Sequence, residues 1–541
     1  MSARRQSKAQ IPQGPITVTW ELAHLPSSQH RAGLAGLVLM VRWLATNRPT
    51  DATWTCRLDR VDAVSASLVV DLAGMKVLFD GTYAAALVEQ SSKTPWAGQE
   101  PKRVDEVEIA DKKGKSKTEK RYVYDVVQPR GAFLADPPLD DPPWIKLWRD
   151  MVWNVLRGVP ATRGSYQSRA NGVASHDGDD AFQQLVNGDR SVELPSTYYL
   201  GAQAFTAEGV SFKDRGRNQF LLHFWPFAVP IYVPQVMKSD GSREFAGFAF
   251  AVPDVADLAT FCDEYLNKVL TGREPELNGY RPRAAVVDVA AESGLDVLRR
   301  ISDALGGAEH AKETGDLLLG VDVIHAEKEG NNVRIRGVAR VEPGRGLVDE
   351  YRRVRGAYWD SGFRKVRVGN VLSGRAWWRG FDRVFETVSQ GQTIGSEYFR
   401  HDAKYAFNGG EMMIDDAANE ETLEVQIYRA VGQYVSYKLD SKYKLKWESV
   451  KDSPGLKNEY NEKREKIGRE AFLAVRGRDL VAFKQWFAET LCSAPQRSYI
   501  KAPAEEVGAR KEARFQRLAR AVLDNPEEVR TLTLMALSAH S

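Results

Sequence analysis

The 541-residue chain has little cysteine: Cys56, Cys262 and Cys492 stand about two hundred residues apart. No CxxC pair exists from which a zinc ribbon or a disulfide framework could be built, and this usage fits a reducing, cytoplasmic location. Long hydrophobic runs are missing too. Met1–Gln13 is polar and basic without an apolar h-region, and no later stretch approaches the roughly eighteen uncharged apolar residues that a membrane span needs. The expectation is a protein neither secreted nor embedded in a membrane. Catalytic signatures are equally scarce: there is no G-x-S-x-G elbow, no G-x-x-x-x-G-K-[ST] phosphate cradle and no H-E-x-x-H. No residue is therefore assigned a catalytic or metal-binding role, and no cofactor is expected.

What is present suffices for sizeable cores. Apolar residues make up 43% of the chain and aromatics 10%, which places it among globular proteins rather than disordered scaffolds. At roughly 100–200 residues per domain, the length allows two to four domains.

Hydrophobic period divides the chain. Ile16–Leu22 alternates as a strand, and a helix follows the Leu25-Pro26-Ser27-Ser28 break with Leu34, Leu37, Val38 and Val41 on one face. Residues 104–109 and 122–126 predict a hairpin with a lysine-rich tip at Lys112, Lys113, Lys115 and Lys117. Two Asp-Pro-Pro repeats precede a tryptophan-rich helix over Trp144–Arg157. Phe220–Pro226 and Phe245–Pro253 read as strands, and Leu317–Val341 reads as a hairpin turning at Gly330-Asn331-Asn332. Beyond Pro343 the period is helical, over 347–354, 377–388, 423–437, 463–475, 480–491 and 514–523. The fold class expected is α+β: a mixed α/β N-terminal domain over residues 1–342, followed by a C-terminal helical bundle over 343–541.

Net charge is only +3, but it is segregated. Residues 1–333 carry net −5 and residues 334–541 net +8. Between Arg334 and Arg383 thirteen Arg or Lys face five Asp or Glu, with seven aromatics among them. Such a block is the footprint of a polyanion-binding surface. Arg352, Arg353, Arg355, Arg364, Lys365, Arg367, Arg375 and Arg379 are the candidate phosphate contacts, since guanidinium forks neutralise phosphate, and Tyr351, Tyr358, Trp359 and Trp377 are candidates for stacking on unpaired bases. The alternative is a solvated helical face whose aromatics point inward. A second basic field, Lys438 to Arg469, is interleaved with glutamates at i,i+4 spacing and is less specific.

Three loops of the first half combine small residues with donors, as close approach to a duplex requires. Gln29-His30-Arg31 stands at a helix N-terminus, where free amides favour phosphate. Arg163 to Arg169, which includes Tyr166, and Lys213 to Asn218, with Arg215 and Arg217, are the others. The opposing reading of each is an ordinary surface turn. The rival functional class is a metal-dependent nuclease built on His176-Asp177 or His401-Asp402, and a third class is a purely architectural protein that binds only other subunits.

Several blocks carry a resemblance. They are Leu25–Leu37, the run Trp144–Asp150 through Arg157 to Pro160-Ala161-Thr162-Arg163, and Leu200-Gly201-Ala202-Gln203-Ala204 with His223-Phe224-Trp225-Pro226. Together they resemble the large subunit of type I CRISPR Cascade complexes, of the Myxococcus-type subclass. The resemblance implies an α+β N-terminal domain and a C-terminal helical bundle. It implies a non-catalytic role in a crRNA-guided complex: recognising the protospacer-adjacent motif, binding target double-stranded DNA, stabilising the R-loop and recruiting the helicase-nuclease, in contact with crRNA and other Cascade subunits. The zinc-binding cysteines of some relatives and an HNH-like insertion are missing here. An internal start at Met412-Met413, as in related systems without a separate small subunit, would yield residues 413–541 as a second product.

Overall fold

The computed structural model describes residues 12, 14–48, 53–110, 116–129, 162–194, 212–237, 243–264, 286–305, 311–329, 332–344, 346–410, 422–493 and 516–541. The tryptophan-rich segment 144–157, Lys112, Lys113 and Lys115 of the lysine-rich tip, and Met412-Met413 lie outside these residues. The chain divides into two compact units, Met1–Val348 and Asp349–Ser541, the first mixed α/β and the second helical.

In the first unit β1 (Ile16–Glu21) leads to α1 (Ser28–Asn47), and β2 (Cys56–Val61) and β3 (Ser65–Val70) complete a three-stranded antiparallel sheet with β3 central. The Ser27 side chain accepts from the His30 backbone N–H and so caps α1. Buried on nearly every side, α1 packs on the strand Phe248–Val255 and on the short helix Trp225–Ala228. Gly33 and Gly36 permit this approach, because a Cβ on Gly36 would stand 2.0 Å from the Phe224 carbonyl oxygen.

Next come α2 (Leu72–Thr82), capped by Asp71, and a second sheet in which β4 (Ala85–Ser92) and β5 (Arg103–Ala110) flank β6 (Ser116–Pro129). Helices α3 (Thr162–Ala170) and α4 (Asp177–Val186) precede the pair β7 (Ser191–Leu194) and β8 (Phe212–Arg215). The apolar run 220–226, expected as a strand, is instead helical: α5 (Gly216–Leu221) and α6 (Trp225–Ala228) flank a turn. Every side of this run is buried, so alternation carried no information there.

The largest sheet contains β9 (Ile231–Met237), β10 (Arg243–Phe245), β11 (Phe248–Val255), β12 (Val286–Val287), β13 (Leu318–Glu329) and β14 (Asn332–Val341). Its order is β10-β9-β11-β13-β14, with β12 parallel to β9. The hairpin expected over 317–341 is thus two strands of this sheet.

The second unit is a bundle. It begins with α7 (Leu347–Ala357), which straddles the division, then α8 (Ser361–Ser373), α9 (Phe381–Thr387) and α10 (Glu397–Tyr405). The main helices that follow are α11 (Leu423–Tyr443), α12 (Pro454–Arg476), α13 (Leu480–Trp486) and α14 (Pro526–Ala539). Almost wholly buried, α14 packs against α10, α11 and α12, and its His540 stacks on Tyr428 at 4.2 Å.

Candidate nucleic-acid interface

The basic block resolves into two populations. Helical phase sorts them: on α7 Val348, Tyr351 and Val354 are buried while Arg353 is exposed, and on α8 Phe363, Arg367, Val368 and Val371 are buried while Lys365 is exposed. Arg367 is fully buried and reaches Glu350 at 3.4 Å. Arg352 is held by Asp349 at 2.6 Å, and Arg355 and Arg364 also have partners within the chain. Arg367, a candidate phosphate contact by composition, lies in the bundle core as a packing residue. Upstream, Arg340 is saturated by Asp254, Asp322 and Glu342, and Arg336 by Glu327.

The exposed population is Arg353, Lys365, Arg375 and Arg379, and none of the four forms an ion pair among the described residues. Local chemistry fixes the last two. Gly374, at φ 60°, closes α8, and the Arg375 N–H then bonds back to the Asn370 carbonyl in a Schellman-type turn. The buried Asn370 amide donates to the carbonyls of Trp377 and Arg379 at 2.9 and 2.8 Å, which pins the loop. The Arg379 guanidinium lies 4.5 Å from the Trp378 ring centre. Arg383, exposed on α9, belongs to the same population and was not singled out from the sequence.

Of the candidate stacking residues, Tyr351 and Tyr358 are buried and Trp377 packs edge-on against Phe407. Trp359 alone is well exposed, at 59%. Half of the second basic field is self-paired, as in Lys442–Glu470, Lys446–Asp440, Lys463–Glu462 and Arg469–Glu465, while Lys444 and Lys466 are exposed without ion pairs among the described residues.

In the first unit, two of the three candidate segments come together. His30 Nε2 lies 3.4 Å from Asp214 Oδ2, Asn218 donates to Asp214 Oδ1 at 3.0 Å, and the Trp20 indole donates to the Arg217 carbonyl. Burial opposes ionisation of Asp214, but hydrogen bonds from His30, Arg215 N–H and Asn218 override it and hold the carboxyl below its ordinary value. Gln29, His30 and Asn218 are buried, and Arg31 is engaged by Asp254 at 2.7 Å. Gln29, His30 and Asn218 are thus interior, while Arg31 is ion-paired and partly exposed. Arg215 is 56% exposed beside Asp189, and Arg217 is half-buried at 3.3 Å from the same carboxylate.

The third segment is helix α3, not a loop. Tyr166 is buried edge-on against Tyr83, and the Arg169 fork grips Asp177 at 2.7 and 3.0 Å and Asp80 at 2.9 Å. Tyr166 is thus interior, and Arg169 is partly exposed and held by two carboxylates. The side chains of Arg163 and Lys213 lie outside the described residues.

The His-Asp pairs have different explanations. His176 is exposed at a helix start, 3.8 Å from Asp179. Asp402 is fully buried and accepts the backbone N–H groups of Trp359 and Asp360, together with a contact to His401 Nδ1 at 3.1 Å. Its carboxylate satisfies peptide donors between α7 and α8. Among the described residues no three His, Cys, Asp or Glu gather in a metal-holding group, and no helix is long and apolar enough to cross a membrane.

An α+β unit thus precedes a helical unit that presents exposed cations, without ion pairs among the described residues, on α7, α8 and the loop after α8. Residues 55–311 match the family model described as the Type I-B CRISPR Cas8b N-terminal domain, and residues 318–540 match the Type I-B CRISPR Cas8b C-terminal domain. The chain belongs to this family of type I CRISPR Cascade large subunits. No curated protein matches it. The junction between the two models precedes β13, yet β13 and β14 pair into the first unit's sheet, so the structural division falls later, at 348.

Proposed function

We propose that this chain engages target DNA within a crRNA-guided Cascade complex of the type I-B or Myxococcus-type subclass, in the cytoplasm. In this reading the first unit recognises the protospacer-adjacent motif and contacts the crRNA end. The second unit neutralises backbone phosphates of the opened duplex, stabilises the R-loop and offers a surface for the helicase-nuclease and the other Cascade subunits. The observation that carries the proposal is the set Arg353, Lys365, Arg375 and Arg379, exposed and without ion pairs among the described residues. Large subunits of this family are generally non-catalytic, and the buried structural task of Asp402 argues against the His401-Asp402 nuclease.

In the first unit Arg215 and Arg217, with Lys213 beside them in sequence and Arg163 from the separate segment 163–169, are the candidates for duplex contact. The test is binding of the reconstituted ribonucleoprotein to targets with a randomised flank. Enrichment of a short flanking sequence, lost when Arg215 and Arg217 are changed to Glu, is expected. Equal binding to all flanks would contradict the role.

Residues 413–541 as a separate small subunit extend the same proposal. In that product α14 would lose α10, leaving an apolar flank for other subunits to cover. Changing both Met412 and Met413 codons should abolish a short C-terminal product, and its persistence would reject the idea.

A further inference from the structure

The exposed side of α10 carries Tyr398 and His401 one turn apart, and across them lies Trp359 from the connection between α7 and α8. The Trp359 ring stacks on His401 at 3.9 Å and 8°, and Tyr398 meets it edge-on at 6.3 Å. Trp359 is 59% exposed and Tyr398 60%. A large aromatic left this open ordinarily gains by folding inward. Here it is held out: the Trp359 and Asp360 amides and the His401 ring are all fixed by the one buried Asp402 carboxylate. One face of the indole is backed by imidazole, and the indole itself remains largely open to solvent.

We propose that Trp359, backed by His401, is a stacking platform for an unpaired nucleobase of a single strand. This rests on the reading of the second unit as a strand-binding surface and names a place where a base sits. Two features favour a base over a protein side chain. The platform is flat, rigid and positioned before any ligand arrives, which suits π-stacking of any base. The two helices that Trp359 joins each bear a cation without an ion pair among the described residues, Arg353 on α7 and Lys365 on α8, six residues either side of it in sequence. Phosphates flanking a stacked base have this complementary charge; an apolar protein segment does not.

The full chain is titrated with an oligothymidylate and with an abasic oligomer of the same length and phosphate count. The base-bearing strand should bind roughly 5- to 150-fold more tightly, the range expected for one stacked base. Trp359→Ala should erase that preference while leaving the salt slope of binding unchanged, and Trp359→Phe should keep most of it. Matching thermal unfolding of the three proteins establishes that each is folded. A Trp359→Ala protein as base-selective as the wild type overturns the platform. So does one that binds strands normally but detaches from another protein subunit, which would identify a protein partner. If the wild-type chain binds neither oligomer even at low salt, the strand-binding reading of the second unit falls as well.

Discussion

Reversing Arg353, Lys365, Arg375 and Arg379 to glutamate together removes about three units from the slope of log affinity against log salt for single-stranded DNA. Each lost phosphate contact contributes about 0.7 to that slope. Between 50 and 200 mM salt the wild-type chain should therefore lose roughly 50-fold more affinity than the variant. The effect should be independent of strand sequence, since phosphates carry no base information. All four side chains are exposed, so the variant should stay folded, with the main stability cost, about 1 kcal/mol, coming from Arg379, which covers Trp378 and faces Glu528. Arg367 supplies the contrast. Fully buried beside a partly exposed Glu350, it should behave as a core residue, and Arg367→Ala should lower stability by about 1–3 kcal/mol, mostly through lost packing. A fall in salt slope from Arg367→Ala with stability intact would mean that the two populations have been wrongly separated.

Acidification should unfold the chain through two buried histidines. Burial lowers the pKa of His540 from 6.5 to about 4 and that of His223 from 6.5 to about 3. His223 Nδ1 stands 2.6 Å from the Tyr83 hydroxyl, inside a cluster with Phe79, Phe220 and Phe224. Asp177 pulls its pKa upward without offsetting burial. His540 Nε2 lies 3.0 Å from the Tyr428 carbonyl, a contact that favours the protonated ring, whereas Arg464 and Lys404 disfavour it. In both cases the folded chain binds the proton less readily than the unfolded chain. Stability is therefore complete above about pH 6.5 and drains as the pH falls toward the folded-state values, by about 2 kcal/mol for each histidine at pH 5. Urea unfolding at pH 7.5 and pH 5 measures it. His540→Gln should be less stable at neutral pH but lose less on acidification than the wild type. A wild-type midpoint that does not move down to pH 5 would contradict the burial of both rings.

What could be read from the sequence follows the range of the forces involved. Strand β1, helix α1 and the hairpin β13–β14 were legible because periodicity and turn chemistry act over a few residues. The short helices α5 and α6 were not, because a run buried on all sides has no polar face to set its period. The basic block was visible as composition, but composition cannot distinguish Arg353 from Arg367. Helical phase can: Phe363, Arg367 and Val371 recur at four-residue spacing, so Arg367 shares the inward stripe. That signal was available and points the guanidinium into the core. The bond from Asp402 to the Trp359 and Asp360 amides spans more than forty residues and has no local signature. Without it, His401-Asp402 looks like a dyad and Trp359 like one aromatic among many. The pairing of Arg169 with Asp177 and Asp80 is equally non-local in part, which is why α3 resembled a loop of free donors.

The most direct measurement is a structure of the assembled ribonucleoprotein on an opened target duplex. Backbone phosphates are expected within hydrogen-bonding distance of Arg353, Lys365, Arg375 and Arg379, about 2.7–3.2 Å between heavy atoms. Finding those four side chains in open solvent, or buried against another polypeptide while the DNA runs elsewhere, would contradict it.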